Sequence, residues 1–166
     1  MLPEAAVRAA IARGVTIACG ESLTGGLVCS ALISVPGASQ AVAGGVVAYT
    51  AAAKVEVLGV PIDVIDAYGL VSEEVALAMA RRAQELFGAS VGVGTTGAAG
   101  PTWHGAKEAG TVCVASVGPA GEFASTTLHK GDRAAVREAA VVDALAVLGH
   151  ALGETRPHHV TGLEQA

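Results

Sequence analysis

Ser22 is the residue whose type and setting first suggest catalytic chemistry in this sequence. It lies in a polar turn at residues 20–26, between an apolar run that predicts a buried strand and the helix that follows. In open α/β sheets, ligands bind beyond the carboxyl ends of strands, where helix N-termini offer N–H groups to anions and developing oxyanions. Ser22 could attack a carbonyl carbon there, while Gly25 and Gly26 would let a substrate approach the backbone.

The same turn has a simpler interpretation, which the spacing leaves open. The side chain of Ser22 or Thr24 could serve only as the N-cap of the following helix. The pattern is not G-x-S-x-G, so the nucleophile elbow of the α/β-hydrolases is excluded.

Lys54 is the candidate base for such a serine, because a nucleophilic hydroxyl needs a group that takes its proton. It stands alone in an apolar stretch after a predicted strand, and desolvation lowers the pKa of a lysine toward neutrality. The alternative is a solvated lysine on a helix surface. The histidines are poorly placed for a triad, in a loop, at a strand end, late in a helix and in the tail: His104, His129, His150, His158 and His159.

A literal G-x-G-x-x-G pattern occurs at residues 92–97, after a predicted strand. A dinucleotide site would need a helix to begin there, and Gly100, Pro101 and Gly105 forbid that helix. The segment is therefore interpreted either as a backbone loop that binds a ligand or anion, or as a tight turn.

Arg133 and Arg137 begin the last predicted helix and, four residues apart, share one face of it. Guanidinium groups suit phosphate or carboxylate ligands. The alternative is a solvated face on which Asp132 and Glu138 pair with the arginines.

Composition excludes several classes of protein. The 166-residue chain is 52% hydrophobic and 15% charged, with a net charge of −5, which argues against disorder and against a nucleic-acid-binding surface. Residues 23–53 carry no charge, but prolines and glycines interrupt them, so they predict a buried segment rather than a membrane span. We expect no secretory signal, because Glu4 and Arg8 lie where its apolar region would begin. Cys19, Cys29 and Cys113 are widely spaced in apolar surroundings, which favours free thiols in the cytoplasm and no metal site.

The pattern of elements predicts one three-layer α/β/α domain at residues 1–153, followed by a flexible tail at 154–166. The sheet is expected to be mixed and mostly parallel, with a late antiparallel hairpin. The predicted helices are 2–13, about 27–34, 51–58, 62–68, 73–87 and 133–152, and the predicted strands are 15–19, 42–50, 90–94, 111–117 and 122–128.

Together these segments resemble the C-terminal domain of the competence/damage-inducible CinA family, the nicotinamide-nucleotide amidohydrolases. The resemblance extends over about residues 4–152 and rests on six motifs in order. Residues 20–26 are similar to the family's A-E-S-x-T-G-G, residues 47–60 to its V-x-Y-S-N-x-x-K-x-x-x-L-G-V and residues 68–73 to its H-G-A-V-S-E. Residues 96–101 are similar to its T/S-G-x-A-G-P, residues 110–112 to its G-T-V and residues 131–137 to its G-D-R-x-x-V-R.

The resemblance implies hydrolysis of nicotinamide mononucleotide to nicotinic acid mononucleotide and ammonia, without metal or cofactor. It assigns Ser22 as nucleophile, Lys54 as general base and Tyr49 as a residue that orients the dyad or the substrate. The implied substrate-binding residues lie in the serine turn, the 96–100 loop and the last helix: Glu21, Thr24, Gly25, Gly26, Thr96, Gly97, Ala99, Gly100, and Arg133 or Arg137 as the phosphate clamp. Backbone N–H groups of residues 22–26 would hold the oxyanion. The partner is a small nucleotide rather than a nucleic acid or a membrane, and we expect a homo-oligomer, with a dimer favoured.

The sequence departs from the family pattern at the site itself. Ala51 and Ala52 replace an Asn and its neighbour in the lysine motif, and Trp103-His104 replaces a common Gly-Gly. These changes favour the alternative of a nucleotide-binding protein of weak or no activity. The family's name alone suggests a further alternative, an interaction protein of DNA uptake or repair, and the acidic charge disfavours its direct contact with DNA. Family members often carry an N-terminal domain similar to molybdopterin-binding proteins, which we expect to be absent because Met1 directly precedes the first helix.

Overall fold

The computed structural model describes residues 1–154, so the tail predicted at 154–166 lies almost entirely outside the described residues. The elements are α1 (Pro3–Arg13), β1 (Ile17–Glu21), α2 (Leu27–Ile33), a 3₁₀ turn (Ala38–Gln40), β2 (Val42–Val47), α3 (Ala51–Glu56), α4 (Ile62–Tyr68), α5 (Glu73–Phe87), β3 (Val91–Gly97), β4 (Thr111–Gly118), β5 (Gly121–Leu128) and α6 (Arg133–Ala151).

The strands form one mixed sheet in the order β2-β1-β3-β4-β5. β1 pairs in parallel with β2 and β3, whereas β4 pairs antiparallel with β3 and β5. Helices α1, α2 and α6 cover one face, and α5 covers the other with α3 and α4 beside it. The predicted three-layer α/β/α fold with a mixed sheet and a late hairpin is confirmed.

Helix boundaries follow local chemistry. Ser72 and Asp132 cap α5 and α6, because their side-chain oxygens accept the N–H groups of Val75 and Ala135. Gly88 ends α5 in the left-handed conformation that a glycine adopts without strain.

The strands around the serine turn extend further than predicted. β1 continues through Glu21 and β3 through Gly97, although both segments were predicted to be loops. Neighbouring strands account for this, since Glu21 pairs with Val47 and Gly97 pairs with Val112. Predictions from local composition miss such pairings, because the partners lie far apart in the chain.

The glycines of the G-x-G-x-x-G pattern have a packing role. A Cβ atom at Gly92 would lie 2.0 Å from the carbonyl oxygen of Ala80, and one at Gly94 would lie 2.0 Å from that of Ala76. Helix α5 therefore rests directly on the backbone of β3, and the strand leads into a loop without a helix. Among the described residues, no helix is long and apolar enough to cross a membrane.

Candidate active site

A cleft of about 370 Å³ opens where β1, β2 and β3 end. This is the carboxyl edge of the parallel strands, where α/β sheets bind ligands. The cleft is lined by Ser22, Leu23, Tyr49, Thr50, Ala51, Lys54, Leu70, Val71, Thr96, Gly97, Ala98, Ala99, Gly100, Thr102, Trp103, His104 and Arg133. We call this set the cleft below.

Ser22 is held at the end of β1, with 6% of its surface exposed. Its N–H donates to the carbonyl oxygen of Thr95 over 3.0 Å, which fixes the backbone of the turn against β3. The interpretation of Ser22 or Thr24 as an N-cap is wrong, because α2 begins only after Gly26 and has no side-chain cap from its N-cap residue. The hydroxyl of Thr24 instead lies 2.7 Å from that of Thr95.

Glu21 supports this turn from within the protein. It is 1% exposed, and its carboxylate accepts the N–H groups of Gly26, Val28 and Cys29 at 2.9, 3.1 and 2.8 Å. These donors belong to the start of α2, where a negative charge is stabilised. The carboxylate of Glu21 therefore takes the place that a bound anion could occupy at the N-terminus of α2. Glu21 does not line the cleft.

Lys54 meets Ser22 from α3, which Thr50 caps by accepting the N–H of Ala53. Its Nζ lies 2.8 Å from Ser22 Oγ and donates to the carbonyl oxygen of Ala48 over 3.1 Å. The side chain is 2% exposed, and burial lowers its pKa from 10.5 to about 8. A lysine with this pKa is neutral in about a tenth of the molecules at pH 7, and its neutral form can accept a hydroxyl proton.

Arg133 and Tyr49 form the polar side of the cleft. The guanidinium of Arg133 donates to the Tyr49 hydroxyl and, over 3.1 Å, to the carbonyl oxygen of Gly100. Both side chains are largely exposed, so they can also reach a ligand. Lys54 and Arg133 are the fixed cations of the cleft, and no carboxylate lines it among the residues that the structure describes.

Arg137 has a different place from its neighbour on α6. Its Nε donates to the carbonyl oxygen of Leu23 and its second terminal nitrogen to that of Thr24, both over 2.9 Å. It ties the serine turn to α6 and does not line the cleft.

The structure brings together only part of the predicted site. Eight predicted residues line the cleft, namely Ser22, Tyr49, Lys54, Thr96, Gly97, Ala99, Gly100 and Arg133. Five others, Glu21, Thr24, Gly25, Gly26 and Arg137, lie behind it in the support of the serine turn. The sequence prediction did not include Leu70 and Val71, which line the cleft from the segment before α5 and carry no chemical signal.

Fewer backbone N–H groups of the turn are available to bind an oxyanion than the sequence predicts. The N–H groups of Ser22, Gly25 and Gly26 are bonded within the protein. Within the described part of the chain, those of Leu23 and Thr24 have no hydrogen-bond partner, and Leu23 lines the cleft. No group of three or more His, Cys, Asp or Glu residues among residues 1–154 is arranged to hold a metal ion.

Comparison with known proteins decides the family. The CinA C-terminal domain profile matches residues 1–152. The chain belongs to the CinA C-terminal domain family. A CinA-like protein of Anaeromyxobacter sp. (strain K) is 49% identical over 152 residues, which cover 91% of this chain and 37% of that protein.

Solved structures of the CinA superfamily share the fold. A protein from Escherichia coli superposes with a TM-score of 0.85 at 32% identity, over 89% of this chain and 87% of that one. One from Klebsiella pneumoniae also gives 0.85 at 32% identity, over 91% and 95% of the two chains. This chain spans about 37% of the length of the curated CinA-like relatives that it matches.

Proposed function

We propose that this CinA-family domain hydrolyses the carboxamide of nicotinamide mononucleotide, which yields nicotinic acid mononucleotide and ammonia. The observation that carries the proposal is the buried contact of 2.8 Å between Lys54 Nζ and Ser22 Oγ on the floor of the cleft. A serine beside a lysine of lowered pKa is an activated nucleophile, and acyl transfer is the chemistry that such a pair performs.

The first half-reaction forms an acyl-enzyme. Neutral Lys54 takes the hydroxyl proton as Ser22 Oγ attacks the carboxamide carbon, and the carbonyl oxygen becomes an oxyanion. The N–H of Leu23, which has no partner within the described residues, is the donor that we assign to this oxyanion. Protonated Lys54 then gives its proton to the leaving nitrogen, and ammonia departs as the carbon–nitrogen bond breaks.

The second half-reaction releases the product. Lys54, neutral again, takes a proton from a water molecule as that water attacks the ester carbonyl carbon. The bond between the carbonyl carbon and Ser22 Oγ breaks, and Lys54 returns its proton to Oγ. The product acid gives its remaining proton to solvent or to the released ammonia and leaves as the carboxylate, and both residues regain their starting states.

The charge of the cleft suits a phosphorylated substrate. Arg133 is exposed at the cleft, and no carboxylate opposes it there among residues 1–154. A guanidinium group in such a place binds a phosphate by paired hydrogen bonds. We therefore assign the phosphate of the nucleotide to Arg133 and the carboxamide end to Ser22.

The proposal is tested by ammonia release and chromatography of the product. Wild type should convert nicotinamide mononucleotide, while Ser22→Ala and Lys54→Ala should each lower the rate by at least about 10³-fold. The matched controls Ser39→Ala and Lys130→Ala alter exposed residues outside the cleft and should keep the wild-type rate. Full activity in Ser22→Ala would contradict the mechanism, and a folded wild type without turnover would contradict the function.

A nucleotide-binding protein of weak activity is the second candidate, and Ala51 favours it. Ala51 lines the cleft at the position where the resembling motif has Asn, so no side chain donates a hydrogen bond there. This candidate predicts saturable binding of the mononucleotide with little turnover. Ala51→Asn should then raise kcat, whereas a fully active wild type would not gain from the substitution.

We also propose that the domain works in the cytoplasm and as a dimer. Cys19, Cys29 and Cys113 are free thiols, which a reducing compartment preserves.

The dimer is assigned to the edge of the sheet. The uncharged edge strand β2 leaves backbone groups unpaired and exposes Val47, and such an edge can pair with a second copy of the chain. Sedimentation velocity of wild type against Val47→Lys should show a dimer that the charge weakens.

A further inference from the structure

Trp103 occupies an unusual position at the rim of the cleft. It lines the cleft while 64% of its surface is exposed. The loop that carries it is closed by two backbone hydrogen bonds between His104 and Lys107, at 3.0 and 3.1 Å. At its base, the carbonyl oxygen of Gly100 accepts a hydrogen bond from Arg133. The loop thus keeps a large apolar side chain exposed to solvent beside the proposed substrate site.

The proposed substrate carries a positively charged ring, which the cleft must bind. The ring of nicotinamide mononucleotide is an N-alkylated pyridinium and carries a permanent positive charge. No carboxylate lines the cleft within residues 1–154, and the neighbouring Glu21 is bonded to three N–H groups of the protein instead. The ring therefore finds no anionic side chain, and aromatic faces are the remaining groups that attract a cation. The cleft offers Tyr49, whose hydroxyl already accepts a hydrogen bond from the Arg133 guanidinium, and Trp103.

We propose that Trp103 is a specificity residue that binds the pyridinium ring of the substrate through the face of its indole. This inference rests on the proposed function and adds to it the selection of cationic pyridine carboxamides over uncharged ones. Among side chains, indole attracts cations best, and stacking adds contact area to the charge term.

The arrangement separates the two charges of the substrate. Arg133 takes the phosphate and Trp103 the ring, which leaves the carboxamide to face Ser22. A positive ring next to Lys54 also disfavours protonated lysine, because like charges repel. Bound substrate would thus favour the neutral base that the reaction needs.

The chain supplies its own probe, since Trp103 is its single tryptophan. Emission of the full chain carrying Ser22→Ala is followed during titration with nicotinamide mononucleotide and, separately, with 1-methylnicotinamide, which has the cationic ring without ribose or phosphate. We expect saturable quenching by both, because pyridinium ions quench indole on contact. Uncharged nicotinamide should give no saturable quenching, and ribose 5-phosphate should leave the emission unchanged.

Kinetics of two variants then test specificity. Trp103→Leu removes the aromatic face and should raise KM for the mononucleotide about 5- to 30-fold with kcat nearly unchanged, because the ring keeps its charge throughout the reaction. Trp103→Phe should recover most of this loss. Tyr68→Leu is the matched control, since Tyr68 is an aromatic residue that is 54% exposed and does not line the cleft.

The outcomes separate this inference from the proposed function. Normal turnover in Trp103→Leu with an unchanged KM, or calorimetric binding without any change in emission, would overturn the role of Trp103 and leave the amidase intact. Saturable quenching of the Ser22→Ala chain by 1-methylnicotinamide, together with a wild type that releases no ammonia, would support ring binding while the proposed function fails.

Discussion

Lys54 Nζ lies 2.8 Å from Ser22 Oγ, although the two residues are 32 positions apart in the chain. The uncharged residues 23–53 separate them in the sequence and fold so that their two ends meet. This segment supplies α2 and β2, and its last residue packs in α3 beside Lys54. Burial away from water lowers the pKa of Lys54, because desolvation disfavours its charged form.

The first prediction concerns the dependence of activity on pH. The base form of Lys54 is the neutral one, and burial lowers the pKa of this lysine to about 8. We expect kcat/KM to rise about tenfold per pH unit below that value and to level off above it. Initial rates of ammonia release between pH 6 and 10 measure the profile, with circular dichroism to verify folding. A flat profile across this range would contradict the assignment of Lys54 as the base.

The second prediction concerns the cost of Lys54 to folding. Its pKa falls from 10.5 to about 8, so the folded protein binds this proton less tightly than the unfolded chain. Below pH 8 Lys54 is protonated in both the folded and the unfolded chain, so the folded state carries the full desolvation cost of its charge. This cost shrinks as the pH rises toward 10.5. Lys54→Met should therefore raise the free energy of unfolding at pH 7 by about 1–3 kcal/mol, once the loss of the two lysine hydrogen bonds is subtracted from the gain. The same substitution should abolish activity.

Urea denaturation at pH 7 and pH 10 checks this expectation. The gain from Lys54→Met should shrink at the higher pH. The exposed residue Lys130 provides the control, because Lys130→Met should change stability by less than about 0.5 kcal/mol at either pH. A destabilised Lys54→Met variant at pH 7 would mean that the buried contacts of Lys54 outweigh its desolvation.

The fold was largely predictable because its local signals agree with its long-range pairings. The caps at Ser72 and Asp132 and the apolar runs of the strands mark the elements that the structure contains. The ends of β1 and β3 were not predictable, since Glu21 and Gly97 look like turn residues until their partners Val47 and Val112 are known.

The candidate site was predictable in outline but not in its inner arrangement. Motif order brought Ser22 and Lys54 into the same hypothesis, yet it could not distinguish residues that face the cleft from residues that support it. Arg133 and Arg137 share a helix face, and their roles differ because Arg137 reaches the carbonyl groups of the serine turn. That distinction depends on the distance between two elements, which the sequence does not encode locally.

The third prediction concerns Glu21, the buried carboxylate behind Ser22. Glu21→Gln keeps the shape but places an NH₂ group against N–H donors, so part of the three-bond set at the start of α2 is lost. We expect the free energy of unfolding to fall by about 2–3 kcal/mol, and kcat to fall because the turn shifts. Denaturation curves and ammonia release measure both effects. Glu138→Gln, at an exposed position of α6, is the control, and an equally small effect in both variants would contradict the structural role of Glu21.

The fourth prediction separates Arg133 from Arg137 by comparing two substrates, nicotinamide mononucleotide and nicotinamide riboside, which lacks the phosphate. Arg133→Ala removes the guanidinium that we assign to the phosphate, so KM should rise about 30-fold for the mononucleotide and stay nearly constant for the riboside. Arg137→Ala removes two hydrogen bonds to the turn that carries Ser22, so kcat should fall for both substrates alike. The riboside provides the internal control for Arg133→Ala, because a folding defect would lower both activities together, and circular dichroism verifies the folding of Arg137→Ala. If Arg137→Ala showed the phosphate-dependent change in KM instead, the clamp would have to be reassigned to Arg137, and the turn would have to move on substrate binding.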